Sequence, residues 1–353
     1  VQKTAICAAA AGLLSLLAGG AQAQSNVTIY GVADVFLEYG KAGTKSAPTT
    51  VVREQSGGIN GSRLGFKGTE DLGGGLKANF VFEHGLLLDT GTQANAAFWN
   101  RQSYVGLSGD WGSLTGGRQY SPLLVQQDSF DPAPGTTLYG SAYNSGVLRT
   151  VSRVNNSVLY TSPTFGGFSG SAMVGLGEAT SGFHYNRVAS GSVKYAAGPF
   201  GVGLAFLHQT KPDAGKESKA IWNLSGSYQV GDLQLLGALQ TTRNDSQNAN
   251  TLDDRREFLI GAVYTLGNGQ IRTSWGQAKV KDVSDTTARH LSAGYIYNLS
   301  KRTAVYTVAQ AIHNPDNLAY RTTGYSFDAV DNGPAVGAGV TARAFAVGIR
   351  HRF

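Results

Sequence analysis

The sequence predicts an all-β fold, a closed antiparallel barrel of sixteen strands that crosses a membrane. Three observations predict it. Residues alternate with period two over segments of about 10–12 residues, a length that suits a tilted crossing of the hydrocarbon layer. Short Gly- or Asn-rich turns recur at nearly even spacing. The composition is that of strands: 48 glycines, 16 tyrosines and 15 phenylalanines against 9 prolines and 1 methionine, with no convincing helical period.

The first 23 residues stand apart. Lys3 supplies a short basic region, residues 5–17 are small and aliphatic, and Ala21-Gln22-Ala23 gives the small-x-small pattern at which a signal peptidase cuts. This reads as a secretory signal peptide, with Gln24 the first residue of a single barrel domain spanning 24–353. The single cysteine, Cys7, lies inside the leader. Disulfides and thiolate metal sites are therefore not expected, and stability must come from packing and backbone pairing. Past the leader there is no apolar run of about 18 residues, so no helical span is expected. The formal charge is +6, or +5 once Lys3 leaves with the leader. The basic residues are scattered singly, which argues against nucleic acid and for a basic interior that draws anions.

In chain order, the first strand places Val27, Ile29, Gly31, Ala33, Val35, Leu37 and Tyr39 on one face, and Thr28, Tyr30, Val32, Asp34, Phe36 and Glu38 on the other. Tight turns follow at 71–75, 109–112, 162–167, 197–199, 230–232, 267–269 and 298–301. Seven turns join fourteen strands, and two end strands bring the count to sixteen, an even number as single-chain bacterial barrels require. Later strands alternate in the same way: Trp222, Leu224, Gly226, Tyr228 and Val230; Phe258, Ile260, Ala262, Tyr264 and Leu266; Leu291, Ala293, Tyr295, Tyr297 and Leu299. Tyr160, Tyr228, Tyr264, Tyr295 and Tyr297 stand beside successive turns, as an interfacial aromatic girdle requires. In lipid an unpaired strand edge leaves orphaned backbone groups, so the last strand must pair with the first. That last strand sets Phe345, Val347, Ile349, His351 and Phe353 against Ala344, Ala346, Gly348, Arg350 and Arg352. The arginines require the second face to look inward.

Several segments resemble the Gram-negative general porins, above all the β-proteobacterial branch. They are Val27-Thr28-Ile29-Tyr30-Gly31-Val32-Ala33-Asp34, the stretch from Ser62-Arg63-Leu64-Gly65-Phe66-Lys67-Gly68 to Gly73, Arg101-Gln102-Ser103-Tyr104-Val105-Gly106-Leu107, Gly117-Arg118-Gln119, Asn155-Asn156-Ser157-Val158-Leu159-Tyr160, and the ending Val347-Gly348-Ile349-Arg350-His351-Arg352-Phe353. The resemblance spans the whole chain after the leader. It implies a homotrimer of barrels in the outer membrane of a Gram-negative bacterium, each narrowed by an inserted constriction loop. It also implies contact with outer-membrane lipids and lipopolysaccharide, and assembly by the barrel-assembly machinery with Phe353 as its signal. His351 stands where many members carry Tyr. The turn spacing marks the loop independently. The turns centred near 111 and 165 are 54 residues apart, roughly 20 more than neighbouring pairs, and the surplus falls at 121–144.

Arg63 alternates with Leu64 and Phe66, so Arg63, Gly65 and Lys67 are expected in the lumen. Arg101 and Ser103 are likewise read as lumenal, opposite Gln102 and Tyr104. By resemblance, an arginine cluster on the wall, Arg63, Arg101, Arg118, Arg149 and Arg153, faces carboxylates Asp128 and Asp131 on the loop. The expected function is passive diffusion of small hydrophilic solutes through a water-filled pore, modestly favouring anions. A substrate-specific channel with a lumenal binding stripe is the alternative. No enzyme activity and no cofactor are expected. The segment Thr251-Leu252-Asp253-Asp254-Arg255-Arg256-Glu257 lacks the spacing of a calcium loop and reads as a solvated loop rim. The six histidines show no metal spacing, Gly116-Gly117 precedes no helix, and no Ser–His–Asp set can be placed.

Overall fold

The structure, a computed structural model, describes residues 26–135, 148–178, 182, 185–210, 218–244, 254–316 and 336–353. The expected leader, its cleavage point and residues 136–144 of the expected pore loop lie outside them. The strands are β1 (Asn26–Gly43), β2 (Pro48–Ser56), β3 (Arg63–Gly73), β4 (Leu76–Leu87), β5 (Thr92–Gln93), β6 (Gln102–Gly109), β7 (Gly112–Tyr120), β8 (Arg153–Thr161) and β9 (Phe168–Gly175). They continue as β10 (Val188–Ala197), β11 (Phe200–Gln209), β12 (Lys219–Val230), β13 (Leu233–Asn244), β14 (Arg255–Leu266), β15 (Gly269–Val280), β16 (Ala288–Asn298), β17 (Thr303–His313) and β18 (Thr341–Arg352). One helix, α1 (Pro122–Ser129), lies between β7 and β8.

Strands β2 and β3 pair antiparallel with successive halves of β1 and form one interrupted stave. The two-residue β5 pairs only with the end of β4. The remaining strands follow one another antiparallel, giving the closed sixteen-stave barrel that the sequence predicts. Closure is made by β1 and β18, in register from Val32 opposite Arg352 to Lys41 opposite Arg343. The backbones of Gly31 and Phe353 exchange hydrogen bonds of 3.0 and 3.2 Å. The Phe353 ring lies where a side chain at Gly31 would be, so glycine is required there.

All seven predicted turns separate paired strands. The alternation also holds: Val27, Ile29, Leu37, Trp222, Leu224, Leu291, Phe345 and Val347 are exposed on the outer surface, whereas Asp34, Asn223, Gln240, Glu257, Ser292 and Gln310 are buried within the wall's inner face. Rings pair beside the turns, as between Trp111 and Tyr160, Phe168 and Tyr195, and Phe200 and Tyr228.

The break between β2 and β3 is held by one carboxylate. Asp34 accepts backbone N–H groups from Gly58, Ile59 and Asn60 at 3.1, 3.1 and 2.8 Å and the Tyr306 hydroxyl at 2.6 Å. Residues 57–62 are thereby folded over the inner wall, where Ile59 packs in a cluster with Phe36, Ile296, Tyr306 and Val308. The inward face of β18 meets the same segment, with Arg350 and Arg352 donating to Asn60 at 3.1 and 3.2 Å.

Two expectations need correction. Ser103 does not share a lumenal face with Arg101. It lies in register with Phe82, while Tyr104 lies opposite Val81 and Gln102 opposite Glu83. Val105 and Leu107, which share the parity of Ser103, are exposed outward. Arg101 escapes this alternation because β6 begins only at Gln102 and the backbone bends at Arg101. The segment around Arg255 and Glu257 is not a solvated rim: both side chains are buried inside β14 and form an ion pair at 3.2 Å. Only Arg256 between them is exposed.

Candidate pore constriction

Helix α1 starts at Ser121, whose hydroxyl accepts the Leu124 N–H at 3.1 Å, with Pro122 in the first turn. It lies inside the barrel against β9–β12. Leu123 is fully buried in a cluster with Val154, Met173, Leu207 and Ile221 of the wall. Complete burial of such a side chain contributes roughly 2 kcal/mol. Gln126 and Gln127 are as buried as the leucines, while Val125 is exposed. This inversion hides the helix from any search for an apolar stripe.

The loop is anchored by polar groups as well. Gln127 donates to the Arg149 carbonyl at 2.8 Å and to Gln240 at 2.7 Å. Gln240 donates to the same carbonyl at 2.8 Å and to Glu257 at 2.9 Å, and the Arg149 N–H donates to Glu257 at 3.0 Å. Past α1, wall glycines make room for the chain: Pro132 meets the position of a side chain at Gly261, and Pro134 that at Gly294. Arg272 of β15 donates to the Asp131 carbonyl at 2.9 Å, and Gly135 abuts Ile59. The described part of the loop therefore runs along the inner wall from β9 to β16, and Gly135 reaches the break held by Asp34.

Opposite the helix stands a cluster of cations. Glu83 of β4 binds Arg101 at 2.8 Å and Arg63 of β3 at 3.6 Å, and accepts the Tyr30 hydroxyl at 3.1 Å. Arg101 donates to the Tyr120 hydroxyl at 2.6 Å. Arg153 donates to the same hydroxyl at 3.1 Å and lies over the Tyr120 ring at 4.7 Å. Three guanidinium groups are thus tied together through one carboxylate and one phenol, and these four described charges sum to about +2. Breaking one member of such a buried pair strands its partner, at a cost of about 3–5 kcal/mol.

Each expected residue has a definite place. Arg63, Arg101 and Arg153 come together. Arg118 lies beside them but bonds elsewhere, to the Asn100 carbonyl at 2.8 Å and to the Asn155 side chain, where the register between β7 and β8 shifts. The backbone N–H and C=O of Arg149 hold the loop against β13 and β14 on another part of the wall. Asp128 faces the cluster from α1, within the electrostatic reach of Arg153 and Arg101. Burial and the neighbouring Asp131 carboxylate push its carboxyl group up to about 8. Asp131 turns back to accept the Ala133 N–H at 2.9 Å, so it shapes the loop. Sequence reading missed Glu83, Tyr120 and Arg272. Glu83 was legible from its alternation with Phe82 and Phe80; the partners of Tyr120 and Arg272 were not. Among the described residues no group of three or more His, Cys, Asp or Glu side chains is arranged to hold a metal.

The fold and this geometry agree with comparisons to known proteins. The family model described as Gram-negative porin matches residues 6–317. The chain is 31% identical over 346 residues to outer membrane porin protein 32 of Delftia acidovorans, covering 95% of this chain and 96% of that one. It is 30% identical to major outer membrane protein P.IB of Neisseria meningitidis, covering 84% of this chain and 90% of the relative. Among solved structures, the anion-selective porin from Comamonas acidovorans superposes with a TM-score of 0.80 at 28% identity, covering 94% of this chain and all of that one. A trimer form of OmpT from Vibrio cholerae superposes with a TM-score of 0.66 at 17% identity, a likeness of fold. A closed sixteen-stave barrel with a polar, loop-narrowed lumen, matched by a family model over most of its length, places this chain among the Gram-negative porins, channel-forming barrels of the outer membrane.

Proposed function

We propose that this porin is a general diffusion channel with a modest preference for anions, and that Arg63, Arg101 and Arg153 set that preference. The observation that carries the reading is that, among the described residues, Arg63, Arg101 and Arg153 gather about the Glu83 carboxylate and the Tyr120 phenol on one wall of the narrowed lumen, an excess of positive charge. A fixed cationic wall facing a loop lowers the energy of an anion in the slot and raises that of a cation. Tyr120 and Glu83 position the guanidinium groups, so little entropy is lost when an anion arrives. Polar solutes align in the field of the slot, whereas apolar ones must displace ordered water. Asp128 adds little negative charge at neutral pH, because its carboxyl group stays largely protonated there. Arg118 and Arg149 tune the wall and the loop from outside the cluster.

We further propose that the barrel works as a homotrimer and that Phe353 is read by the barrel-assembly machinery. The trimer form of a barrel of the same fold and the seating of the terminal ring on Gly31 support these readings. The experiment is single-channel recording in planar bilayers under a salt gradient. A steady ohmic current with a reversal potential on the anion side is expected. No current, or a current blocked saturably by one sugar or phosphate ester, would refute a general pore.

A further inference from the structure

Two inward arginines of the last strand take no part in the constriction cluster. Arg350 and Arg352 share the inner face of β18 with Ala344, Ala346 and Gly348. Their guanidinium groups converge on one atom, the side-chain oxygen of Asn60, at 3.1 and 3.2 Å. That oxygen belongs to a neutral amide. Arg350 Nε is buried and has no acceptor. Among the described residues no carboxylate forms an ion pair with either arginine. Asp34 stands opposite Arg350 in the strand register. Its two oxygens are already occupied by the N–H groups of Gly58, Ile59 and Asn60 and by the Tyr306 hydroxyl. The two cations therefore share a partner that cannot neutralise them.

The strand register places this pair beside the constriction. Val32 lies opposite Arg63 of β3 on one side and opposite Arg352 on the other. Neighbouring strands are about 4.8 Å apart, so Arg352 stands about 10 Å along the wall from Arg63. It also stands at the short-turn end of the barrel, where its N–H donates at 2.9 Å to the carbonyl of Arg302, in the turn between β16 and β17. Short turns face the periplasm in such barrels. Arg352 is exposed and Arg350 partly so. Asn60 is fixed from behind, its N–H bound to Asp34 at 2.8 Å and the neighbouring Ile59 packed in its cluster. Both guanidinium groups are thereby held in position.

We propose that Arg350, Arg352 and Asn60 form a second anion site, on the periplasmic side of the constriction, for a small tetrahedral oxyanion of the phosphate or sulfate class. The proposal extends the reading of this chain as an anion-preferring channel and rests on it. Two guanidinium forks arriving from different residues suit an ion with several acceptor oxygens, whereas a planar carboxylate is satisfied by one fork. An oxyanion supplies the negative charge and the additional acceptors that Asn60 lacks. The step of about 10 Å from Arg63 is close to the screening length at physiological salt, so an ion leaving the cluster already feels the pair. Conduction needs sites that attract an ion and still release it, and the water around Arg352 keeps this one weak.

The test is X-ray diffraction from crystals of the full-length protein soaked in sodium selenate, with data collected at the selenium absorption edge. In the wild type an anomalous peak is expected within hydrogen-bonding distance of both guanidinium groups. Asn60→Asp places an internal counter-ion between the two arginines and removes neither, so the barrel should fold. The peak at this place should be lost in that variant, and in Arg350→Gln/Arg352→Gln. An excess of acetate should leave the wild-type peak in place. Absence of the wild-type peak, its persistence in Asn60→Asp, or its displacement by acetate overturns the proposal. The same proteins are recorded in planar bilayers under a salt gradient. Asn60→Asp adds one negative charge beside the path and should lower the anion-to-cation permeability ratio about threefold, the effect of one screened unit charge at about 6 Å. A ratio equal to that of the wild type overturns the proposal as well, by showing that the arginines only hold residues 57–62 in place. A wild type without anion preference counts against the selectivity reading alone, since the selenate peak and its loss are read independently of current.

Discussion

Replacing Arg63 and Arg101 together by glutamine is expected to abolish most of the anion preference in barrels that still fold and conduct. The magnitude follows from the cluster. Its net charge is about +2, from three guanidinium groups and Glu83. An ion about 6 Å from one unit charge in water interacts with it by roughly 0.7 kcal/mol, reduced to about 0.4 kcal/mol by screening at 0.1 M salt. Two net charges therefore separate an anion from a cation by about 1.5 kcal/mol, roughly a tenfold permeability ratio. In the double variant Arg153 and Glu83 cancel, and the ratio should fall to about one. Removing both cations from the buried Glu83 carboxylate should also lower the unfolding midpoint in detergent, so the potentials are read on material that migrates as the folded barrel. The assay is the zero-current potential across a tenfold salt gradient in planar bilayers. Arg63→Glu/Arg101→Glu should carry that potential past zero to the cation side. An unchanged potential in both variants would refute the assignment of selectivity to this wall.

Three further outcomes follow from the same geometry. Asp128 loses its proton as pH rises through about 8; the cluster then faces one more negative charge, its net charge drops to about +1, and the preference should fall to roughly fourfold. Reversal potentials between pH 6 and 10 should show this step, and Asp128→Asn should remove it. Gly294→Val places carbon atoms against Pro134, whose Cβ lies 2.8 Å from the position of the new Cβ; the loop should be pushed off the wall into the lumen, lowering single-channel conductance, which an unaltered conductance in a correctly folded barrel would contradict. Asp34→Ala removes the acceptor of three backbone N–H groups and the Tyr306 hydroxyl; a loss of about 3 kcal/mol or more is expected from stranding these groups, read as a lower unfolding midpoint in detergent.

The sequence by itself determined the barrel. Period-two alternation says which side of each strand faces lipid, because a lipid-facing arginine is costly and a lumenal one is not. Seven turns and two ends then set the strand count, and the requirement that no edge stay unpaired joins β1 to β18. The same local logic placed Arg63 and Arg350 inward, and could have placed Glu83. Local rules fail where the backbone leaves the regular strand. Arg101 lies one residue before β6, so its alternation with Ser103 gave the right side for the wrong reason. Turn spacing placed the inserted loop at 121–144, and the helix begins there, but local reading gave nothing of its shape. Helix α1 is buried by glutamines and leucines alike, since its environment is the polar inner wall on one side and a small apolar cluster on the other. Only the tertiary structure decided that Arg153 joins Arg63 and Arg101 through Tyr120, that the Arg149 backbone instead holds the loop against β13 and β14, and that Gly261 and Gly294 make room for Pro132 and Pro134. These contacts join residues far apart in the chain, and nothing in the spacing of either partner specifies the other.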